Sequence, residues 1–196
     1  MSQRFLVLFS IALSLIAASF PEYPVKAAAD YPNVVTKAGL SVAAFAVEDT
    51  EEQRKYFGAD LTWKSYLPVF LVIENHSPGD SFLVAKEGLM YGPAGRSGSA
   101  LADPSRPTKS DKTLNVLSVV PDLGFMAALA FSRSTEVRQN ILKKELESAT
   151  LSPGTSVHGF VFIPLHSQHT VRDKIHLSIP LTESGTGATV VLDLEL

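Results

Sequence analysis

In the last part of this chain apolar residues alternate with polar ones at a period of two. Residues 175–181 set Ile175, Leu177, Ile179 and Leu181 against Lys174, His176, Ser178 and Pro180. Val190, Leu192 and Leu194 alternate with Val191, Asp193 and Glu195, and Gly185-Thr186-Gly187 between the two runs marks a hairpin loop. Further upstream, Val157, Val161 and Ile163 share one face of a strand whose other face carries Phe160 and Phe162. Residues 67–75 (LPVFLVIEN) are apolar on both faces, which predicts a central strand covered on both sides. Residues 40–47 predict a first strand, 28–37 an irregular lead, and 81–86, 89–91 and 113–120 shorter strands.

Two stretches follow a helical period instead. Asp49-Thr50-Glu51-Glu52-Gln53 is a helix start with capping side chains, and Gly58 closes that short helix. The second covers 121–147. Leu123, Met126, Ala127 and Ala130 recur at helical spacing, then Val137 with Ile141 and Leu142 with Leu146 pair four apart. Glu136 near the start of the latter and Lys143-Lys144 near its end suit the helix dipole. Residues 92–112 are rich in Gly, Ser, Pro and Arg, a loop of about twenty residues and longer than an ordinary connection. The expected fold is therefore mainly β with an α insertion: an antiparallel β-sandwich with a helical segment around 121–147.

Residues 69–77 (VFLVIENHS) resemble the strand-then-turn of small immunoglobulin-like domains exported by bacteria. Residues 151–164 (LSPGTSVHGFVFIP) resemble their later Pro-Gly turn and aromatic strand. This resemblance implies an Ig-like sandwich without assigned chemistry, and it transfers no catalytic residue.

The N-terminus changes the picture of where the domain works. Arg4 precedes an apolar run over 5–18 broken only by Ser10 and Ser14, the pattern of a secretory signal peptide. Ala17-Ala18-Ser19, Val25-Lys26-Ala27 and Ala27-Ala28-Ala29 all offer small residues at the positions a signal peptidase reads. Cleavage after Ala27 is the expectation, giving a signal over 1–27 and a single domain over 28–196. That product has 169 residues and keeps 15 of the 17 basic and 19 of the 20 acidic side chains. An acidic balance argues against nucleic acid. The apolar run is shorter than a spanning helix, so no stable membrane anchor is expected after cleavage. An uncleaved, membrane-tethered form is the alternative. There is no cysteine, which excludes disulfides, thiolate metal sites and cysteine nucleophiles and favours bacterial export to the periplasm or beyond.

Candidate chemistry is sparse. His166 and His169 on a turn, with Asp173 nearby, could hold a metal and serve a metal-dependent hydrolase. The same residues suit an exposed polar loop, since no third or fourth nitrogen ligand is identifiable. Arg96 and Arg106 in the long loop could grip an anion. Trp63 and Tyr66, with Tyr56 nearby, could form an exposed aromatic patch for a partner or a glycan, or a lid over the core. His158 is expected in or at the edge of the core, and His176 in solvent. Asn75-His76-Ser77 matches a glycosylation pattern and reads better as a strand-ending turn. The expected function is a non-enzymatic binding or structural module with a protein or cell-envelope partner and no cofactor.

Overall fold

The computed structural model describes residues 20–93, 135–165 and 174–196. Two antiparallel sheets stack face to face, with helices on the outer side of one of them. The first sheet has the order β1 (Val34–Lys37), β2 (Leu40–Ala46), β3 (Tyr66–Asn75) and β7 (Ser156–Pro164). In the second, β8 (Ile175–Glu183) pairs with β9 (Thr189–Glu195) along one edge. Its other edge is shared by β5 (Met90–Pro93) and β4 (Phe82–Val84), and β4 carries β6 (Ala149–Leu151). The sandwich with a helical insertion expected from the sequence is the architecture observed.

Helix α1 (Thr50–Phe57) links β2 to β3. The Asp49 carboxylate accepts the Glu52 N–H at 2.7 Å, and Glu51 and Glu52 occupy the positive end of the dipole. Gly58 ends it in the left-handed region at φ +77°, which a β-carbon would strain. The described part of the second helical segment is α2 (Thr135–Lys144); residues 94–134, which include the rest of that segment, the expected strand over 113–120 and most of the long loop, lie outside the described residues.

The apolar residues fall into two clusters on opposite faces of β3. Val69, Leu71 and Ile73 point between the sheets, against Val42, Val84, Leu177, Ile179, Leu181 and Leu192. Phe70 and Val72 point outward, where α1, α2 and the chain before β1 cover them with Tyr56, Phe57, Ile141 and Tyr31. Both faces of β3 are thus buried, as its double apolar pattern predicts.

Two elements differ from expectation. The lead over 28–37 contains a 3-10 turn (Ala28–Asp30) and the edge strand β1, which pairs with β2 through a turn at Ala38, a non-glycine residue at φ +52°. The chain over 149–151 forms β6 on the edge of β4. Asn75-His76-Ser77 is a turn: the buried Asn75 amide donates to the Asp80 and Leu151 carbonyls at 2.7 and 3.1 Å and accepts from the Ser77 N–H at 2.9 Å. The nitrogen that glycosylation would modify is already spent on joining the two sheets.

Candidate functional site

The turn between α1 and β3 is over-determined by hydrogen bonds. Gln53 lies on the buried stripe of α1 and is fully enclosed. Its amide oxygen accepts the Leu61 and Thr62 N–H groups at 2.7 and 3.0 Å. Its amide nitrogen donates to the Val47 carbonyl and to the Thr62 hydroxyl, both at 2.7 Å. All four hydrogen-bonding sites of the amide are therefore used. Asp60 accepts the Trp63 N–H at 2.8 Å, and Arg54 approaches the same carboxylate at 3.8 Å. The short 3-10 turn (Thr62–Lys64) ends at Ser65, held at φ +65°, and the Leu165 N–H bonds the Ser65 carbonyl at 2.7 Å.

Leu61 anchors this turn in the core while Trp63 stands out of it, 81% exposed. The three aromatics grouped in the sequence separate here. Tyr56 is buried in the outer-face cluster, Tyr66 is half-buried against it, and Trp63 faces solvent between Thr62 and Lys64. A large indole standing in water on a hydrogen-bonded turn, with polar neighbours, offers a stacking surface. Gln53 is the residue that sequence reasoning missed. Its signal was a polar side chain at the position that, with Tyr56 and Phe57, completes the apolar stripe of α1.

A cavity of about 300 Å³ lies under the chain before β1, lined by Glu22, Tyr23, Lys144, His158, Phe70 and Phe160 among others. Lys144 is 6% exposed. Its ammonium donates to Asn140 Oδ1 at 2.6 Å and to the Tyr56 carbonyl at 3.0 Å, and Asn140 donates to that same carbonyl at 2.8 Å. A cation thus closes the negative end of α1. Burial pushes the Lys144 ammonium below the usual lysine range, and the Glu22 carboxylate partly offsets this. His158 is exposed at the edge of the outer cluster, its ring 6.0 Å from that of Phe70.

His176 differs from the expected free exposure: its side chain is 19% exposed and belongs to a cross-strand cluster. Its Nε2 lies 3.2 Å from both Asp193 Oδ1 and Ser178 Oγ, and Ser178 donates to the same Asp193 oxygen. A Ser-His-Asp relay needs carboxylate and hydroxyl on opposite ring nitrogens. Here both meet Nε2, so the three groups brace β8 against β9.

His166, His169 and Asp173 lie outside the described residues, as do Arg96 and Arg106. Among the described residues no group of three or more His, Asp or Glu side chains is gathered to hold a metal. No described helix is long and apolar enough to cross a membrane. No protein-family model matches the chain, and no curated protein or solved structure is detectably similar to it.

Proposed function

We propose that this is an exported, non-enzymatic binding module that takes hold of a cell-envelope glycan through Trp63, using the two-sheet sandwich as a rigid mount. The reading rests on one observation: the 81% exposed indole on a turn locked by the enclosed Gln53 amide. An exposed indole offers a flat apolar face on which a sugar ring can stack while its N–H stays free to bond. The neighbours decide the ligand class. A protein hot spot sits in a well-packed, desolvated pocket near the centre of an interface. Trp63 instead has Thr62, Lys64, Ser65 and Asp60 beside it, groups that hydrogen-bond sugar hydroxyls around a stacked ring. The resemblance to exported immunoglobulin-like domains, which display recognition on loops, fits the same reading.

Trp63 is the only tryptophan in the chain, so its emission reports directly on the site. Titration with soluble oligosaccharides released from bacterial cell wall should quench the emission and move it to the blue. Trp63→Ala should abolish binding measured by calorimetry while melting as the parent does. Unchanged emission at saturation, or full binding by Trp63→Ala, would overturn the proposal.

A further inference from the structure

The chain over 20–27 is built into the domain. The Tyr23 ring lies 4.8 Å from the rings of Tyr56 and Phe70 and 5.0 Å from that of Phe160, edge-on to Tyr56 and Phe160 and tilted against Phe70. Phe20 packs over Gly58 so closely that a β-carbon there would lie 2.4 Å from the ring. Glu22 pairs with Lys143 at 2.5 Å, across 121 positions of sequence. Glu22, Tyr23 and Val25 also form one wall of the cavity whose other side is Lys144, His158 and Phe160.

We propose that the export signal is removed immediately before Phe20, rather than after Ala27, so that 20–27 remains as a strap over the outer face of the first sheet. This rests on the export reading made above. The tripeptide Ala17-Ala18-Ser19 supplies the small residues at the two positions the peptidase reads. Cleavage after Ala27 or Ala29 meets the same requirement and discards Phe20 and Tyr23, leaving the faces of Phe70 and Phe160 to water. That later cut has one compensation. The Ala28 nitrogen lies 3.0 Å from Glu74 Oε1, so an ammonium created there would meet a carboxylate. A single ion pair is worth less than two seated aromatic side chains.

The test is the intact mass of the full chain after expression in an exporting bacterium. A mass beginning at Phe20 is expected; a processed product beginning at any other residue overturns the proposal and leaves export standing. A chain that keeps Met1 in the cytoplasm overturns both the proposal and the export reading. Two substitutions locate the cut independently of folding, since processing precedes it. Ser19→Phe should abolish the product that begins at Phe20, with maturation arrested or moved to Ala27 or Ala29, and Ala27→Phe, at an exposed position, should mature with only the mass of the substitution added. A Ser19→Phe product with the same N-terminus as the wild type, together with loss of that product in Ala27→Phe, would place the cut after Ala27 and refute the strap as a mature feature.

Discussion

The two apolar clusters on either side of β3 are built on different terms. Between the sheets the side chains are almost all aliphatic, and every one comes from a strand or its flank. On the outer face Tyr31, Tyr56, Phe57, Phe70, Phe160 and Phe162 dominate, and the cover is a patchwork of α1, α2 and the segment before β1. Two sheets stacked face to face close their interface by interdigitating alternate residues. A sheet closed by helices and an irregular strap must bridge uneven gaps, and large rings meeting edge to face do so, as Phe57 on Phe160 at 4.8 Å and 81° shows. The aliphatic cluster holds the two sheets together; the aromatic one joins the helices and the strap to them. Each substitution below should disturb one cluster more than the other.

The largest effect belongs between the sheets. Leu71 is fully buried there, on the central strand. Leu71→Ala should cost about 4 kcal/mol, the cost of lost burial plus an uncollapsed cavity. Chemical denaturation should show the lower midpoint, with Trp63 emission of the folded protein unchanged because the turn is held from the other face. A folded-state change in emission would mean the two clusters are not separable.

Gly159 stands directly across from Leu71 in the β3–β7 register and joins the two regions. Residues 145 and 146 pass over it, Leu146 donating to the Phe160 carbonyl at 2.8 Å on its way from α2 into the inter-sheet cluster. A β-carbon at Gly159 would lie 2.5 Å from Leu146 Cα and 2.7 Å from its nitrogen. Both atoms are backbone and cannot swing aside. Gly159→Ala should therefore cost about 3 kcal/mol and lower the melting midpoint by roughly 6–12 °C. A midpoint equal to wild type would show that the crossing is looser than described.

The contrast also explains what could be read from sequence. Strands β3, β7, β8 and β9 were legible because a half-buried strand must alternate and a fully buried one must be apolar throughout. Helix α1 was legible through Asp49 and Gly58, whose chemistry is local. Strand β1 was not, because it is an edge with little buried surface and its two-residue turn, Ala38-Gly39, carries only half of the usual signal, with Ala38 at the position where Asn, Asp or Gly is expected before Gly39. The strap over 20–27 has no period, and its place is set by rings contributed from residues 56, 70 and 160. The candidate site was half legible: Trp63 was singled out with Tyr66 and Tyr56, yet composition could not say which ring points outward. Tyr56 sits on the inner stripe of a helix and Trp63 on the turn beyond it, whose shape is set by Gln53 together with Asp60 and Ser65.

Gln53 tests the link between the aromatic region and the site. Gln53→Ala leaves the Val47 carbonyl and the Leu61 and Thr62 N–H groups without their partner in a water-poor setting. The expected loss is about 2 kcal/mol. The more telling readout is Trp63 anisotropy in the folded protein, which should fall as the turn loosens, together with weaker glycan binding. Unchanged anisotropy would mean that Asp60 and Ser65 suffice to hold the turn.

Alkaline pH should produce the smallest effect and the sharpest separation of the two regions. Burial chiefly, with the nearby Glu52 carboxylate, raises the Tyr23 phenol well above the ordinary tyrosine value; burial raises Tyr31 in the same direction. An unfolded phenol releases its proton near pH ~10 while the native one keeps it. The native state then binds more protons, so the phenols' contribution is intact below that pH and stability falls as pH climbs above it. Lys144 works in the opposite sense: its native ammonium deprotonates before the unfolded one, so its burial penalty is present at neutral pH and relieved as pH rises through the native value. Both groups belong to the outer face, whereas among the described residues between the sheets only Tyr91, at the margin, is raised. Tyr23→Phe should keep the ring packing and remove up to about 1 kcal/mol per pH unit of alkaline loss. Melting curves of both proteins from roughly pH 9 to 11 measure it. Parallel curves would show that the phenol is not enclosed, and the strap would then not be seated among the rings of the outer face.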